Sequence, residues 1–139
     1  PVDFNLRLQR LAEMKQTPTE AIPERMDEAI PKLWIIRQSL SLRKRRPELF
    51  GTGGTYEPVR AEGHKADHVV AFMRGKGSIT LVPRLIIGLG EDWSDTTITL
   101  PPGQWQNELT SAAVKGGRRL LSELCARFPV CLLAREGKD

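Results

Sequence analysis

The sequence is poor in the residues that usually announce an independent activity. Its 139 residues include two cysteines, two histidines and one tyrosine, and aromatics make up 6% of the chain. Cys125 and Cys131 lack a metal-binding spacing and have no other cysteines to pair with, so they allow one bridge at most. They read as reduced, partly buried thiols, which argues against a disulfide-stapled fold. His64 and His68 stand four residues apart but straddle a loop-to-strand transition with no third ligand, so no metal or other cofactor is expected. Long apolar runs are absent. The longest, Leu85 to Leu89 and Val130 to Ala134, are far too short to span a bilayer. No secretory signal is read at the start. The expectation is a cytoplasmic protein with no membrane partner. Because the sequence begins at Pro1, an excised or processed piece is expected.

A large charge excess is also missing. Seventeen acidic residues offset 21 basic ones, leaving +4 and a pI near 9.4. The one dense basic block, Arg43 to Arg46, falls in the last turn of an expected helix, where the helix dipole favours cations. Aromatics do not interleave with it and no recognition-helix pattern accompanies it, so no nucleic-acid partner is expected. A basic adaptor built on that block is the weakest of three functional readings.

What the chain does have is a change of period near residue 50. Phe4, Leu8, Leu11 and Met14 recur at helical spacing, with Asp3 as a plausible cap. Thr17-Pro18-Thr19 breaks that helix. Thr19 is expected to cap a shorter segment from Glu20 to Ala29, with Pro23 near its first turn. Pro31 opens a third helix with a stripe of Leu33, Ile36 and Leu40, widened by Ile35 and Leu42. Pro47 ends it, since proline lacks a donor N–H and clashes with the preceding turn, and Gly51 lets the chain turn away.

Beyond Gly51 the pattern reads as short strands. His68 to Met73 and Ser78 to Val82 flank Gly75-Lys76-Gly77 as a β-hairpin. Leu85 to Leu89 is an expected strand, as is Asp95 to Leu100, where Thr97 and Thr99 alternate with Ile98 and Leu100. Pro101-Pro102-Gly103 is expected to turn the chain into a strand around Trp105, and Gly116-Gly117 to turn it again. Leu120 to Leu124 reads as strand or as a short helical turn, and Val130 to Ala134 as a buried strand. The fold class is therefore α+β: N-terminal helices over residues 1–50, then an antiparallel β-sandwich over 51–139. Three helices without an intervening strand fit a bundle, or the last outer helices of a barrel.

The run Leu42-Arg43-x-x-x-Pro47-x-Leu49 resembles the exit from the last barrel helix in the α-amylase superfamily of glycoside hydrolases. The resemblance narrows to the maltooligosyltrehalose synthase family within it. Pro1-Val2-Asp3-Phe4, Lys32-Leu33-Trp34, Pro47 to Gly51 and His68 to Phe72 resemble that family. So do Val82-Pro83-Arg84, Trp93-x-Asp95-Thr96, Leu100-Pro101-x-Gly103-x-Trp105 and Phe128-Pro129-Val130. The matches keep their order along nearly the whole chain and cover only the C-terminal part of such an enzyme.

The resemblance implies helices from the end of a (β/α)8 barrel and a C-terminal sandwich. It also implies conversion of the reducing-end α-1,4 linkage of a maltooligosaccharide to α,α-1,1 by retaining transglucosylation. The carboxylates for that chemistry belong to barrel strands upstream of Pro1, so no catalytic residue is expected in this chain. The maltooligosaccharide would be held by that barrel, and the exposed helical stripe is expected to favour self-association.

Three features within the chain compete with a purely structural role. Glu91, Asp92 and Asp95 cluster near Trp93 like a sugar site with paired carboxylates, but adjacent acids in a glycine-bounded loop usually form a solvated turn. Ser41, Ser78 and Ser122 lack a nucleophile-elbow context. Trp93, Trp105 and Tyr56 lie in the strand half, so a free-standing carbohydrate-binding module using Trp93 and Trp105 is the alternative. The blander expectation is that Trp105 packs in the core, Trp93 plugs the loop over it, and Trp34 wedges between helices and sandwich.

Overall fold

The computed structural model describes residues 1–137, the side chains of 26–28 excepted. Helix α1 (Phe4–Gln16) starts where expected, with the Leu6 N–H donating to Asp3 Oδ1 at 2.9 Å. Its Met14 is buried, whereas Phe4 is 72% and Leu8 65% exposed. The expected capped helix after Thr19 is instead a pair of 3₁₀ turns, Thr19–Ala21 and Pro23–Glu28. Pro18 occupies the cap position, and no side chain caps the first turn.

Helix α2 (Ile30–Arg45) follows Ala29, which sits in the left-handed region at φ 58°. Its buried line is Ile30, Pro31, Trp34 and Leu42, not the expected Leu33, Ile36 and Leu40. Ile36 and Leu40 are exposed, and Leu33 and Ile35 are only half-buried. The difference arises because the surface α2 meets within this chain comes from residues far along it, which an isolated helical wheel cannot register. The Arg46 N–H closes the helix on Leu42 O, and a 3₁₀ turn over Pro47–Leu49 makes the exit.

Seven strands follow: β1 (Tyr56–Val59), β2 (Ala61–Glu62), β3 (Val69–Arg74), β4 (Ser78–Pro83), β5 (Thr97–Asn107), β6 (Ala113–Leu120) and β7 (Cys131–Arg135). All pair antiparallel in one curled sheet of order β1-β3-β4-β7-β5-β2, with β6 also on β5. The expectation of two packed sheets gives way to this single hydrogen-bonded sheet. The β3–β4 hairpin forms as expected. Gly75 (φ 54°) and Lys76 (φ 58°) supply the two left-handed residues of its turn. A Cβ on Gly75 would sit 2.8 Å from Leu49 Cα, so the helix exit docks against this turn.

Two expected turns lie inside strands. Pro101-Pro102-Gly103 is an irregularity within β5, whose register with β6 shifts between Leu100 and Gln104. Gly116 and Gly117 lie opposite it in β6. A Cβ on Gly116 would fall 2.3 Å from Pro101 O, so the kink needs a bare backbone across from it. The kink lets one strand serve two neighbourhoods, with Ile98 opposite Ala61 of β2 and Trp105 opposite Arg135 of β7.

Two short helices lie among the described residues of the strand half. Leu85 to Leu89, expected as a strand, is a left-handed Leu85 (φ 51°) followed by one helical turn, α3 (Ile86–Leu89). The β3–β4 ladder ends at Val69 opposite Pro83. With no partner strand beyond it, the backbone bonds locally, Leu89 N–H to Leu85 O. Leu121–Leu124 forms the helical turn α4.

Two apolar cores result. The first joins Ala71, Ile79, Leu81, Ile98, Leu100, Trp105, Leu121, Leu124, Cys131 and Leu133. The second joins Met14, Ile22, Ile30, Trp34, Leu42 and Leu109 with Phe128, Leu132 and Ala134. Alternate residues of β7 therefore belong to different cores, which is why the strand reads as an unbroken apolar run.

Candidate functional site

The expected acidic cluster lies in the segment between α3 and β5. Asp92 Oδ1 accepts from the Ser94 N–H at 2.7 Å, allowing Ser94 its left-handed φ of 53°. Asp95 Oδ1 accepts from the backbone N–H of His64 and pairs with His64 Nδ1, both at 2.9 Å. The bond from the His64 amide, reinforced by its ring, holds the Asp95 carboxyl below the usual range. Glu91 is exposed. Asp92 thus serves its own loop's backbone and Asp95 ties that loop to the segment around His64, while the side chains of His64 and Asp95 are 81% and 60% exposed rather than enclosed.

His64 and His68 do not converge. His68 Nδ1 lies 3.1 Å from Leu85 O, and a Cβ on Gly88 would meet its ring at 2.9 Å. Lys65 ties the same region together, its amide donating to Thr96 Oγ1 at 2.9 Å and its ammonium to Gly88 O at 3.0 Å. These bonds knit the 63–68, 85–90 and 92–96 segments into one polar rim. Among the described residues, no three His, Cys, Asp or Glu side chains gather as a metal site would require. No helix is long and apolar enough to cross a membrane among them either.

The aromatics divide sharply. Trp105 is wholly buried and its indole donates to Pro101 O at 3.0 Å, which removes it from any sugar-stacking surface. Trp93 is half-buried against the first core. Trp34 bridges the helices and strands as expected, its indole donating to Leu109 O at 3.0 Å. The pair sequence reasoning missed is Tyr56 and Phe72, stacked at 5.1 Å and 28° between β1 and β3. The signal was faint, since β1 is only four residues long and mostly polar.

The serines and the basic block are equally scattered. Ser41 and Ser122 are exposed, and Ser78 is buried with its hydroxyl unbonded. Arg45 pairs with Glu108 at 2.6 Å, and Arg46 pairs with Glu48 and donates to Arg135 O. Arg45 and Arg46 thus fasten the end of α2 to the C-terminal ends of β5 and β7.

No protein-family model matches the chain. It is 41% identical, over 107 residues, to a maltooligosyl trehalose synthase of Mycobacterium tuberculosis. That alignment takes in 76% of this chain and 14% of the relative. A mutant maltooligosyltrehalose synthase from Arthrobacter ramosus superposes with a TM-score of 0.84 at 34% identity. It covers 97% of this chain and 17% of the enzyme. This chain is homologous to a C-terminal segment of the maltooligosyltrehalose synthases. Another structure of the Arthrobacter synthase gives a TM-score of 0.80 at 33% identity, over the same share of the chain. The chain thus spans about a seventh of the curated synthases it matches. The similarity includes both the helices and the curled sheet, because the structural match runs over nearly every residue.

Proposed function

We propose that the chain is the C-terminal, structural part of an enzyme that forms maltooligosyltrehalose. That enzyme isomerises the reducing-end α-1,4 linkage of a maltooligosaccharide to α,α-1,1, a step of trehalose biosynthesis. One carboxylate attacks the terminal sugar and a carboxylic acid protonates the leaving oxygen. The freed glucose stays in place and returns through its anomeric hydroxyl, so exclusion of water decides between isomerisation and hydrolysis. Those acids lie on barrel strands outside this chain, and the isolated chain is inactive.

In this reading residues 1–50 supply the last helices of the barrel and residues 51–139 the domain behind it, sandwich-like through the curl of its single sheet. The exposed Phe4, Leu8, Ile36 and Leu40 then meet the barrel in the whole enzyme and drive self-association when the chain is alone. The enzyme is cytoplasmic and the chain contacts neither membrane nor nucleic acid. The observation that carries the proposal is the superposition on a synthase over 97% of the chain with a TM-score of 0.84.

The test uses the purified chain with a maltooligosaccharide, alone and with the complementary portion of a synthase. Product ending in trehalose is expected only from the mixture. Such product from the chain alone refutes the placement of the acids elsewhere. A saturable tryptophan signal with maltooligosaccharide, abolished in Trp93→Ala, supports the binding-module alternative instead.

A further inference from the structure

Cys125 is the C-cap of α4, and Cys131 opens β7 after an intervening segment that contains Pro129. Their sulfurs stand 3.9 Å apart, and the Cys131 thiol also lies 3.1 Å from Leu124 O. Both cysteines pack with the first core, Cys131 fully buried and Cys125 half-buried. A disulfide bond needs the sulfurs at about 2.05 Å, a closure of roughly 2 Å.

We infer that Cys125 and Cys131 form a redox-responsive pair that closes into an intramolecular disulfide, stapling α4 to β7. Cys125 is the more accessible of the two sulfurs, and its contact with Cys131 lowers it from the ordinary thiol range while that contact and burial push Cys131 up. Cys125 is therefore the attacking sulfur. Its thiolate attacks a low-molecular-weight disulfide, forming a mixed disulfide and releasing one thiolate. Cys131 then loses its proton and attacks Cys125 Sγ, and the second thiolate leaves. Two electrons pass to the small disulfide, which departs as two thiols. In a reducing compartment the open pair is the resting state, and closure reports oxidation.

The experiment exposes the native chain to glutathione disulfide, then blocks free thiols and measures intact mass and the peptides spanning 125–131. The expected result is loss of both titratable thiols, a mass lower by two hydrogens and a monomer on a non-reducing gel. Cys131→Ser is expected to stop as a glutathione adduct at Cys125, and Cys125→Ser to leave Cys131 unreactive while folded. Circular dichroism confirms that each variant retains the native fold. Stable glutathione adducts on the native wild-type chain, disulfide-linked dimers, or closure only in denaturant would each overturn the inference.

Discussion

Replacing Trp34 by alanine tests whether the helices and the sheet are one cooperative unit. Trp34 is 9% exposed and packs in the second core among Ile30, Leu109, Phe128 and Leu132. Truncating a buried aromatic to alanine costs about 3–5 kcal/mol, combining lost burial with the residual cavity. The Leu109 carbonyl, 3.0 Å from the indole nitrogen, loses its partner as well. Arg37 also loses the ring that lies 5.9 Å from its guanidinium carbon, though that contact is worth about 1 kcal/mol at most at an exposed site. Against a typical total stability of about 5–15 kcal/mol, the change is large enough to lower the melting temperature by roughly 10 °C. Trp34→Phe keeps most of the apolar volume and loses the hydrogen bond, so it should cost only about 1–2 kcal/mol. Urea unfolding followed by far-UV circular dichroism measures both, without relying on the fluorophore being removed. A cost under about 1 kcal/mol for alanine would mean that the second core does not hold the two halves together.

Three other substitutions probe separate features. Gly116→Ala should destabilise by about 2 kcal/mol, because its Cβ meets backbone atoms of Pro101, Pro102 and Gly103 at 2.3–2.9 Å; thermal melts against Gly53→Ala, which meets open space, provide the control. Asp95→Asn should weaken the chain at neutral pH. The folded carboxyl titrates below its unfolded value, so its stabilisation is present above about pH 4 and disappears as the pH falls through the lower folded value. Paired urea titrations down to pH 2.5 should therefore show the difference from wild type shrinking. Asp3→Ala should cost about 1 kcal/mol by removing the α1 cap, read as faster amide exchange at Leu6.

Features set by neighbouring residues were legible in advance. Asp3 as a cap, Pro31 and Pro47 as helix punctuation and Gly75-Lys76 as a hairpin turn each act within a few positions. Three of the errors fell where a distant partner decides. Leu85 to Leu89 has a strand's composition, but no edge pairs with it beyond Pro83, so it coils. Pro101-Pro102-Gly103 has a turn's composition, yet a strand continues through it because Gly116 yields space across the ladder. Along α2 the wheel shows two apolar lines, and only contact with Leu109, Phe128 and β7 selects the one through Ile30 and Trp34. For the acidic loop, composition suggested both a sugar site and a solvated turn. The bond from the Ser94 amide to Asp92 realises the turn, and those from His64 engage Asp95 with a distant segment. The family resemblance was legible because its matches, individually weak, retain their order along the chain.

Strand β7 contributes Cys131 and Leu133 to one core and Leu132 and Ala134 to the other. Among the described residues every other strand and helix precedes it. A ribosome therefore releases the helices, the hairpin and the kinked strand before the wall they share exists, and folding of this part waits for synthesis of β7. Truncation just ahead of Cys131 would leave two half-built interiors facing an absent divider, with both the helical and the sheet sides exposed to proteases.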